Sequence, residues 1–322
     1  MLISDDSLRV LIVALLLDVV IGDPDWLWQR VPHPVVLFGR LIDRFDRVLN
    51  NPDWSVAQRR AAGGFAMIIL IVIAAGLGLL ISSLLRSVSF GWLLEALIAA
   101  IFIAQHSLYE HVAQVRAAFS SGGLSEARRA VSAIVGRDPQ SLDEAGICRA
   151  AIETTAENFS DAIVAPAFWF ALFGLPGIMA CKAINTADSM VGHLDDRHRS
   201  FGWAAARLDD AVNLVPARLS AMLIVLVAPL SGGSVSHAFM VTWRDARRHR
   251  SPNAGWPESA MAGALNVALA GPRSYAGEIV DDPFFNASGR TATPDDIVRA
   301  LQLFVAACAV EVVLYAALAF VG

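Results

Sequence analysis

The residues of this chain best suited to chemistry lie in two neighbouring runs, Lys182-Ala-Ile-Asn-Thr-Ala-Asp-Ser-Met190 and Arg207-Leu-Asp-Asp-Ala-Val-Asn-Leu-Val-Pro-Ala-Arg218. The chain around them is 56% hydrophobic, with a mean hydropathy of +0.53. An ionisable group beside an apolar segment therefore carries a desolvation cost that calls for a partner or a function. Lys182 is the only lysine among 25 basic residues. Arginine grips carboxylates and phosphates with a planar fork, whereas lysine is a compact charge with a tunable pKa; either suits an anionic ligand. In helical form Lys182, Asn185, Ser189 and His193 share a face and Asp188 lies off it, so a turn at Gly192 or a partner element must help to gather them. The structural alternative is a network of Asn and Ser hydrogen bonds between apolar helices. In the second run, Arg207 and Asp210 are spaced to pair at a helix start. With Asp209, Asn213 and Arg218 they could equally clamp Mg²⁺ or phosphate.

Three further clusters carry polar chemistry. Arg149, Glu153, Glu157 and Asp161 recur every four residues, which places them on one helix face beside Asn158. Three stacked carboxylates repel unless a cation intervenes, and Mg²⁺ is commonly held by one or two carboxylates plus substrate phosphates. The plainer reading is a solvated face with Arg149 pairing to Glu153. Ser251-Pro-Asn-Ala-Gly-Trp-Pro-Glu258 reads as a turn with Asn253 at its centre and Glu258 opening a helix, next to a basic membrane-surface patch of Arg244, Arg247, Arg248, His249 and Arg250. Gly22-Asp23-Pro24 and His33-Pro-Val35 are turn signals. His193 and His198 around Asp195 and Asp196 read as a wet loop more than as a metal site.

The elements that position these residues are mostly apolar helices. Ala61–Leu85 carries no charge and is long enough to span a ~30 Å hydrocarbon core at ~1.5 Å per residue. Leu8–Ile21, Trp92–Tyr109, Ala162–Ala180, Leu219–Ser231 and Ala300–Gly322 are weaker candidates, some of them buried helices instead. Polar material concentrates in residues 22–60, 110–161, 182–218 and 243–299, whose mixed charges predict folded connections and not linkers. If Ala162–Ala180 and Leu219–Ser231 both cross, the Lys182 run lies on the opposite side from its polar neighbours and one shared site is impossible. Pro166, Gly174, Pro176 and Gly177 interrupt the first segment, and Pro216 and Pro229 bracket the second, so both are expected to be re-entrant or buried around the site. The expected fold is all-α: a polytopic membrane helical bundle with broken helices around a polar site, residues 1–322 forming one membrane-embedded domain.

Composition narrows the function. A net charge of −5 argues against a nucleic-acid partner. Asp5 and Asp6 stand where a cleaved signal would be basic. Cys148, Cys181 and Cys308 lack the spacing of a zinc site or disulfide framework. Neither a G-x-x-x-x-G-K-[ST] loop nor G-x-G-x-x-G occurs, so any nucleotide must be held in another way.

The chain resembles the cobinamide-phosphate synthase family of cobalamin biosynthesis (CobD/CbiB). The resemblance rests on Gly22-Asp-Pro, His33-Pro-Val, Val135-Gly-Arg-Asp138, Glu153-Thr-Thr-Ala-Glu-Asn-Phe-Ser-Asp161, the Lys182–Met190 run, Ala206-Arg-Leu-Asp-Asp210, Pro216-Ala-Arg218 and Ser251-Pro-Asn-Ala-Gly255, in family order over nearly the whole chain. It implies an ATP-dependent ligase of the cell (inner) membrane that joins the propionate carboxylate of adenosylcobyric acid to aminopropanol or its O-phosphate, the choice of amine staying open. ATP and Mg²⁺ would be its cofactors, and a second copy or other cobalamin-pathway enzymes its protein partners. Glu153, Glu157, Asp161, Lys182, Asp188, Asp209 and Asp210 would be catalytic, with Glu153, Glu157, Asp161, Asp188 and Asp210 as Mg²⁺ ligands. Asp23, His33, Asn158, Asn185, Ser189, Arg207, Asn213, Arg218, Ser251, Asn253 and Glu258 would bind substrate. The competing classes are a transporter whose intramembrane charges line a pathway, and a non-catalytic regulatory membrane protein.

Overall fold

The structure, a computed structural model, describes residues 5–135, 142–275, 278–280 and 282–321. Gly136 to Asp138 of one family motif lie outside the described residues. The helices are α1 Asp5–Ile21, α2 Asp25–Trp28, α3 Pro34–Leu49, α4 Val56–Leu85, α5 Gly91–Ala100, α6 Gln105–Ser132, α7 Glu144–Phe159, α8 Ala165–Phe173, α9 Leu175–Val191, α10 His198–Phe201, α11 Trp203–Val212, α12 Leu214–Val227, α13 Val235–Asp245, α14 Gly255–Leu265 and α15 Pro294–Val321. Between α14 and α15 lie the short strands β1 Leu269–Ala270, β2 Arg273–Tyr275, β3 Glu278–Val280 and β4 Phe284–Phe285, with β1 antiparallel to β4 and β2 to β3. The fold is thus all-α.

Four stretches are long and apolar enough to cross a membrane: Val56–Leu85, Gly91–Ser132, Leu214–Ser231 and Pro294–Val321. They mark a multi-pass membrane protein. Leu8–Ile21 and Ala162–Ala180 are helical but not among them. The second is broken, as its prolines and glycines predict: a π-helical turn at Ser160–Val164 precedes α8, and Gly174 at φ 65° ends α8 and starts α9. Pro216 does not bracket its segment; it sits in the first turn of α12, where the missing N–H breaks no intrahelical bond. Together with a 3₁₀ turn at Ala228–Ser231, α12 therefore reaches spanning length.

The described residues form two compact units. One comprises Met1–Ala104, Ala165–Asn213 and Tyr315–Gly322. Its centre is α4, started by a reciprocal cap in which the Gln58 N–H donates to Ser55 Oγ and the Ser55 N–H donates to Gln58 Oε1. The face of α4 turned inward carries Gly63, Ala66, Met67, Leu70, Ala74, Gly78 and Ser82, all buried. Its outward face carries Phe65, Ile68, Val72, Leu79 and Leu80, all more than half exposed. Large apolar side chains outside and small ones inside suit a lipid-facing helix whose partners approach closely. The partner is α9: a Cβ at Gly78 would lie 2.6 Å from Pro176 N.

The other unit comprises Gln105–Val164 and Leu214–Leu314. Its hub is α14, Gly-Trp-Pro-Glu-Ser-Ala-Met-Ala-Gly-Ala-Leu, buried at every position except the half-buried Trp256. Small side chains let α7, α12 and α13 pack around it. Carboxylates in this unit are held firmly. Buried Asp245 accepts from Arg244 at 2.8 and 2.7 Å and from the Asn286 N–H at 2.8 Å, with Arg248 at 3.3 Å. Arg250 pairs with Asp282 at 3.0 Å, and the Arg247 guanidinium lies 5.8 Å over the Trp243 ring. The arginines of the run at 244–250 are exposed, as a surface patch requires, and several of them also pair with acids of this unit.

Gly78→Ala should lower the melting temperature in detergent, because its Cβ would meet the backbone of Leu175 and Pro176; overpacking of this kind costs about 1–3 kcal/mol. Gly76→Ala, with nothing within 4 Å of the added carbon, should leave stability unchanged or raise it by up to ~1 kcal/mol. Equal effects of the two would refute the close-contact reading.

Candidate functional site

The expected site residues divide between the units. Asp23, His33, Lys182, Asn185, Asp188, Ser189, Arg207, Asp209, Asp210 and Asn213 belong to the first, and Glu153, Glu157, Asn158, Asp161, Arg218, Ser251, Asn253 and Glu258 to the second.

In the first unit, α9 buries Ile178, Cys181, Ile184, Ala187 and Val191, a spacing of three and four that leaves Lys182, Asn185 and Asp188 on the remaining surface. Helix α9 ends at Gly192, whose N–H bonds to the Asp188 carbonyl at 2.7 Å. The predicted turn is therefore present, and it takes His193 off the helix face expected to carry it. The chain returns through α10 into α11, and at Gly202 a Cβ would lie 1.6 Å from the Val191 carbonyl oxygen. This contact seats α11 against α9 and turns Asp209 towards Asn185.

The result is a cluster of acids. Asp209 accepts from Asn213 Nδ2 at 3.0 Å and from Asn185 Nδ2 at 3.5 Å. Arg207 Nη1 donates to Asp210 at 3.1 Å. That pair forms as the spacing predicts, but α11 begins at Trp203, so it lies in the later half of the helix and not at its start. Burial, then the nearby Asp188 charge, pushes the Asp209 carboxyl up to about 7. Burial and Asp210 raise Asp188, while His193 opposes the shift. Burial raises Asp210 against the pull of Arg207. Asn213 is buried, and its Oδ1 has no hydrogen-bond partner. Ser189 is exposed and donates to the Asn185 carbonyl at 3.0 Å.

Asp23 and His33 also join this unit's polar region. His33 caps α3: its Nδ1 accepts the Val35 N–H at 3.2 Å, and its Nε2 lies 3.7 Å from Asp23. The imidazole packs edge-on against Trp28 at 4.4 Å. Burial chiefly lowers its pKa, Asp23 opposes this, and the Lys182 charge adds to the lowering. Lys182 is thus an electrostatic neighbour of the His-Pro motif on α3, which packs on α9. Sequence reasoning gave no place to Asp46, Asn50 and Arg197, which anchor the turn after α9. Arg197 donates to Asp46 at 2.9 and 2.6 Å, and Asn50 Nδ2 donates to Asp46 at 2.7 Å and to the Arg197 carbonyl at 3.0 Å. The available signal was the four-residue spacing of Asp46 and Asn50 on an amphipathic helix. Asp195 caps α10 and bonds His198 at 2.9 Å, as a structural loop would.

In the second unit the carboxylates of the expected stripe meet different surroundings. Glu153 is buried and accepts the Ala270 N–H at 2.8 Å, fixing β1 to α7. Glu157 is exposed, and Asp161 is half-buried in the π-helical turn at Ser160–Val164. Arg149 lies over the Phe284 ring at 5.9 Å, and Asn158 Nδ2 donates to the Thr154 carbonyl at 3.0 Å. The Ser251 turn is structural in the way predicted: Ser251 Oγ accepts the N–H groups of Asn253 and Ala254 at 3.1 and 3.2 Å. Helix α14 opens at Gly255 with Glu258 in its first turn, as expected, and buried Glu258 lies 3.8 Å from His249. Arg218 donates to Asn253 Oδ1 at 2.8 Å and stacks 4.7 Å over Trp256. Among the described residues no three His, Cys, Asp or Glu side chains converge as a ready metal set, so the five-carboxylate Mg²⁺ grouping is not preassembled.

Asp209 yields a pH prediction. Its carboxyl titrates near 7 in the folded chain and at ~3.9 unfolded, so between these values the folded state binds more protons. Stability should then fall as pH rises from about 4 to 7. In chelator-containing buffer the melting temperature should decline over that window, less steeply in Asp209→Asn. Parallel profiles would remove Asp209 from the charge-strained cluster.

Residues 11–304 match the family model described as CobD/Cbib protein. The chain is 50% identical over 320 residues to a cobalamin biosynthesis protein CobD of Rhizobium meliloti, covering 98% of each chain. It is 51% identical over 311 residues to its namesake in Sinorhizobium sp, covering 95% of this chain and 96% of that one. With the namesake of Brucella anthropi it shares 53% identity over 302 residues, 92% of each. No solved structure matches. A family match across nearly all of the chain, joined by relatives identical at half of their positions, shows that this chain belongs to the CobD/Cbib family of cobalamin biosynthesis proteins.

Proposed function

We propose that the protein is an ATP-dependent ligase of the cell membrane, amidating the propionate carboxylate of adenosylcobyric acid with aminopropanol or its O-phosphate. The observation that carries this reading is the cluster of Asp188, Asp209 and Asp210 beside the orphaned Oδ1 of buried Asn213. These are hard oxygen donors whose carboxyls burial pushes up. That suits Mg²⁺, which takes one or two carboxylates and completes its shell with water and phosphate oxygens.

Asp188 and Asp210 would hold the ion, which when bound neutralises phosphate charge. Lys182 and Arg207 would position the anionic groups of ATP and the substrate carboxylate, phosphoryl transfer being mainly placement and charge stabilisation. The propionate oxygen attacks the γ-phosphorus and ADP leaves, giving an acyl phosphate. The amine, having lost its proton to a carboxylate of the cluster, attacks the carbonyl, and phosphate leaves. Asn185 and Asn213 keep Asp209 oriented through the bonds described. His33, with Nδ1 committed to the α3 cap and its pKa lowered, offers a neutral ring near Lys182.

Detergent-purified protein should form the amide only when ATP, Mg²⁺ and an aminopropanol species are all present. Equal product without nucleotide would reject the ligase, and flux into sealed vesicles without covalent change would favour transport. Lys182→Arg and Lys182→Met should each stay monodisperse yet lose about 10²-fold in turnover, as expected when a positioned charge is displaced or removed. Turnover near wild type in Lys182→Met would return this residue to helix packing.

A further inference from the structure

We propose that Arg218 and Arg247 of the second unit form a binding site for a phosphate group. Arg218 is half-buried near the start of α12, with its guanidinium 4.7 Å over the Trp256 ring. Its Nη1 donates to the Leu214 carbonyl at 2.9 Å and to Asn253 Oδ1 at 2.8 Å. These bonds fix the group in place without neutralising it. Both use the same nitrogen, and Nε and Nη2 have no acceptor among the described residues, so one edge of the fork stays open. Arg247, in the 3₁₀ turn Ala246–Arg248 that follows α13, lies 5.8 Å over the Trp243 ring. The elements that carry these residues, α12, α13, α14 and the 3₁₀ turn, pack on one another.

The charges around the pair do not cancel. The charge that acts on Arg218 is that of Arg247, and no carboxylate among the described residues offsets it. The acids that pair with this basic run are taken by its other members. Asp245 is held by Arg244 at 2.7 Å and Arg248 at 3.3 Å, Asp282 by Arg250 at 3.0 Å, and Glu258 lies 3.8 Å from His249. Arg218 and Arg247 are thus left without an ion pair among the described residues. Two like charges held near each other raise the free energy of the empty site, and a bound anion relieves it.

The donors select phosphate. Stacking on an indole sets the plane of each guanidinium and leaves its N–H edge to make parallel bonds. A carboxylate, with two oxygens and one charge, satisfies a single fork. A phosphate monoester has three terminal oxygens and close to two charges, and so can accept from both. The spanning stretch Leu214–Ser231 begins just before Arg218. The site therefore lies near one surface of the membrane, within reach of a soluble phosphate ester and of a lipid headgroup alike. The Mg²⁺ and anion positions of the proposed ligase are all in the first unit, so either reading can fail alone.

The test uses the full chain in lipid-free detergent and a chelator-containing buffer without Mg²⁺. It is melted with glycerol phosphate or with phosphatidic acid, against potassium chloride at matched ionic strength and phosphatidylcholine of the same acyl chains. One or both phosphate probes should raise the melting temperature by about 2–4 °C, and neither control should. A rise with glycerol phosphate assigns the site to a soluble ester, and a rise with phosphatidic acid alone assigns it to a lipid headgroup. Arg218→Gln should abolish the rise. Arg247→Gln, at an exposed side chain, should cut it by more than half and serves if Arg218→Gln does not fold. Arg250→Gln, which removes the same charge from the same run, and Lys182→Met, in the first unit, should both keep it. No rise with either probe overturns the proposal, as does a rise that survives Arg247→Gln, is lost in Arg250→Gln or Lys182→Met, or is matched by phosphatidylcholine or potassium chloride.

Discussion

The first unit depends on how closely α9 approaches α4. In a bilayer apolar side chains gain little by meeting one another in place of lipid, so two helices stay together through van der Waals fit. Here the fit is made by the small inward face of α4, with Gly78 against the start of α9. That contact fixes the axis of α9, and hence the heights of Lys182, Asn185 and Asp188 along it. The polar end then follows from the chain path: Gly192 ends α9, the Asp46–Asn50–Arg197 knot holds the turn, and α11 is laid back on α9. A packing constraint at one end of a helix thereby decides which acids meet at the other.

Carboxylates in this chain fall into two classes with different physical meanings. Asp46, Asp245 and Asp296 are buried and tied by arginines and hydrogen bonds. For Asp245 burial pushes the pKa up, but the bonds from Arg244 and the Asn286 N–H outweigh it and hold the carboxyl below its usual value. Such groups are satisfied, and loss of a partner would leave a costly buried charge. For Asp188, Asp209 and Asp210 burial dominates instead and raises each carboxyl, neighbouring acids adding to the shift at Asp188 and Asp209 and Arg207 opposing it at Asp210. Protonation is one remedy for that imbalance and a bound cation is another. The contrast within one chain is between acids held by arginine pairs and acids whose carboxyls burial raises.

The sequence made the helical class, the break at Gly174, the turn at Gly192 and the Arg207–Asp210 pair legible, because each follows from local spacing or backbone preference. It did not reveal depth. A period of four places Glu153, Glu157 and Asp161 on one face, but nothing in that pattern says that Glu153 is buried against β1 or that Asp161 lies in a π-helical turn. Nor could it show that Lys182 lies near His33, since that proximity is made by packing α3 on α9. Motif order identified the residues, and tertiary contact assigned their neighbours.

The singular lysine can be understood from that neighbourhood. Elsewhere the chain uses arginine, and the structure shows the reason in its pairs: forked contacts to Asp46, Asp245 and Asp296, and stacking on Trp203, Trp243 and Trp256. Those tasks need a plane and several fixed donors. At residue 182 the surroundings are different. Residue 182 is half-buried on α9, where its charge adds to the lowering that burial imposes on the half-buried His33 imidazole, and Thr186 Oγ1 donates to the Lys182 carbonyl at 2.7 Å. A compact ammonium and a planar guanidinium therefore meet different neighbours in this chain. At this one position the chain sets a compact charge beside an imidazole, whereas its forked and stacked contacts elsewhere are made by arginine.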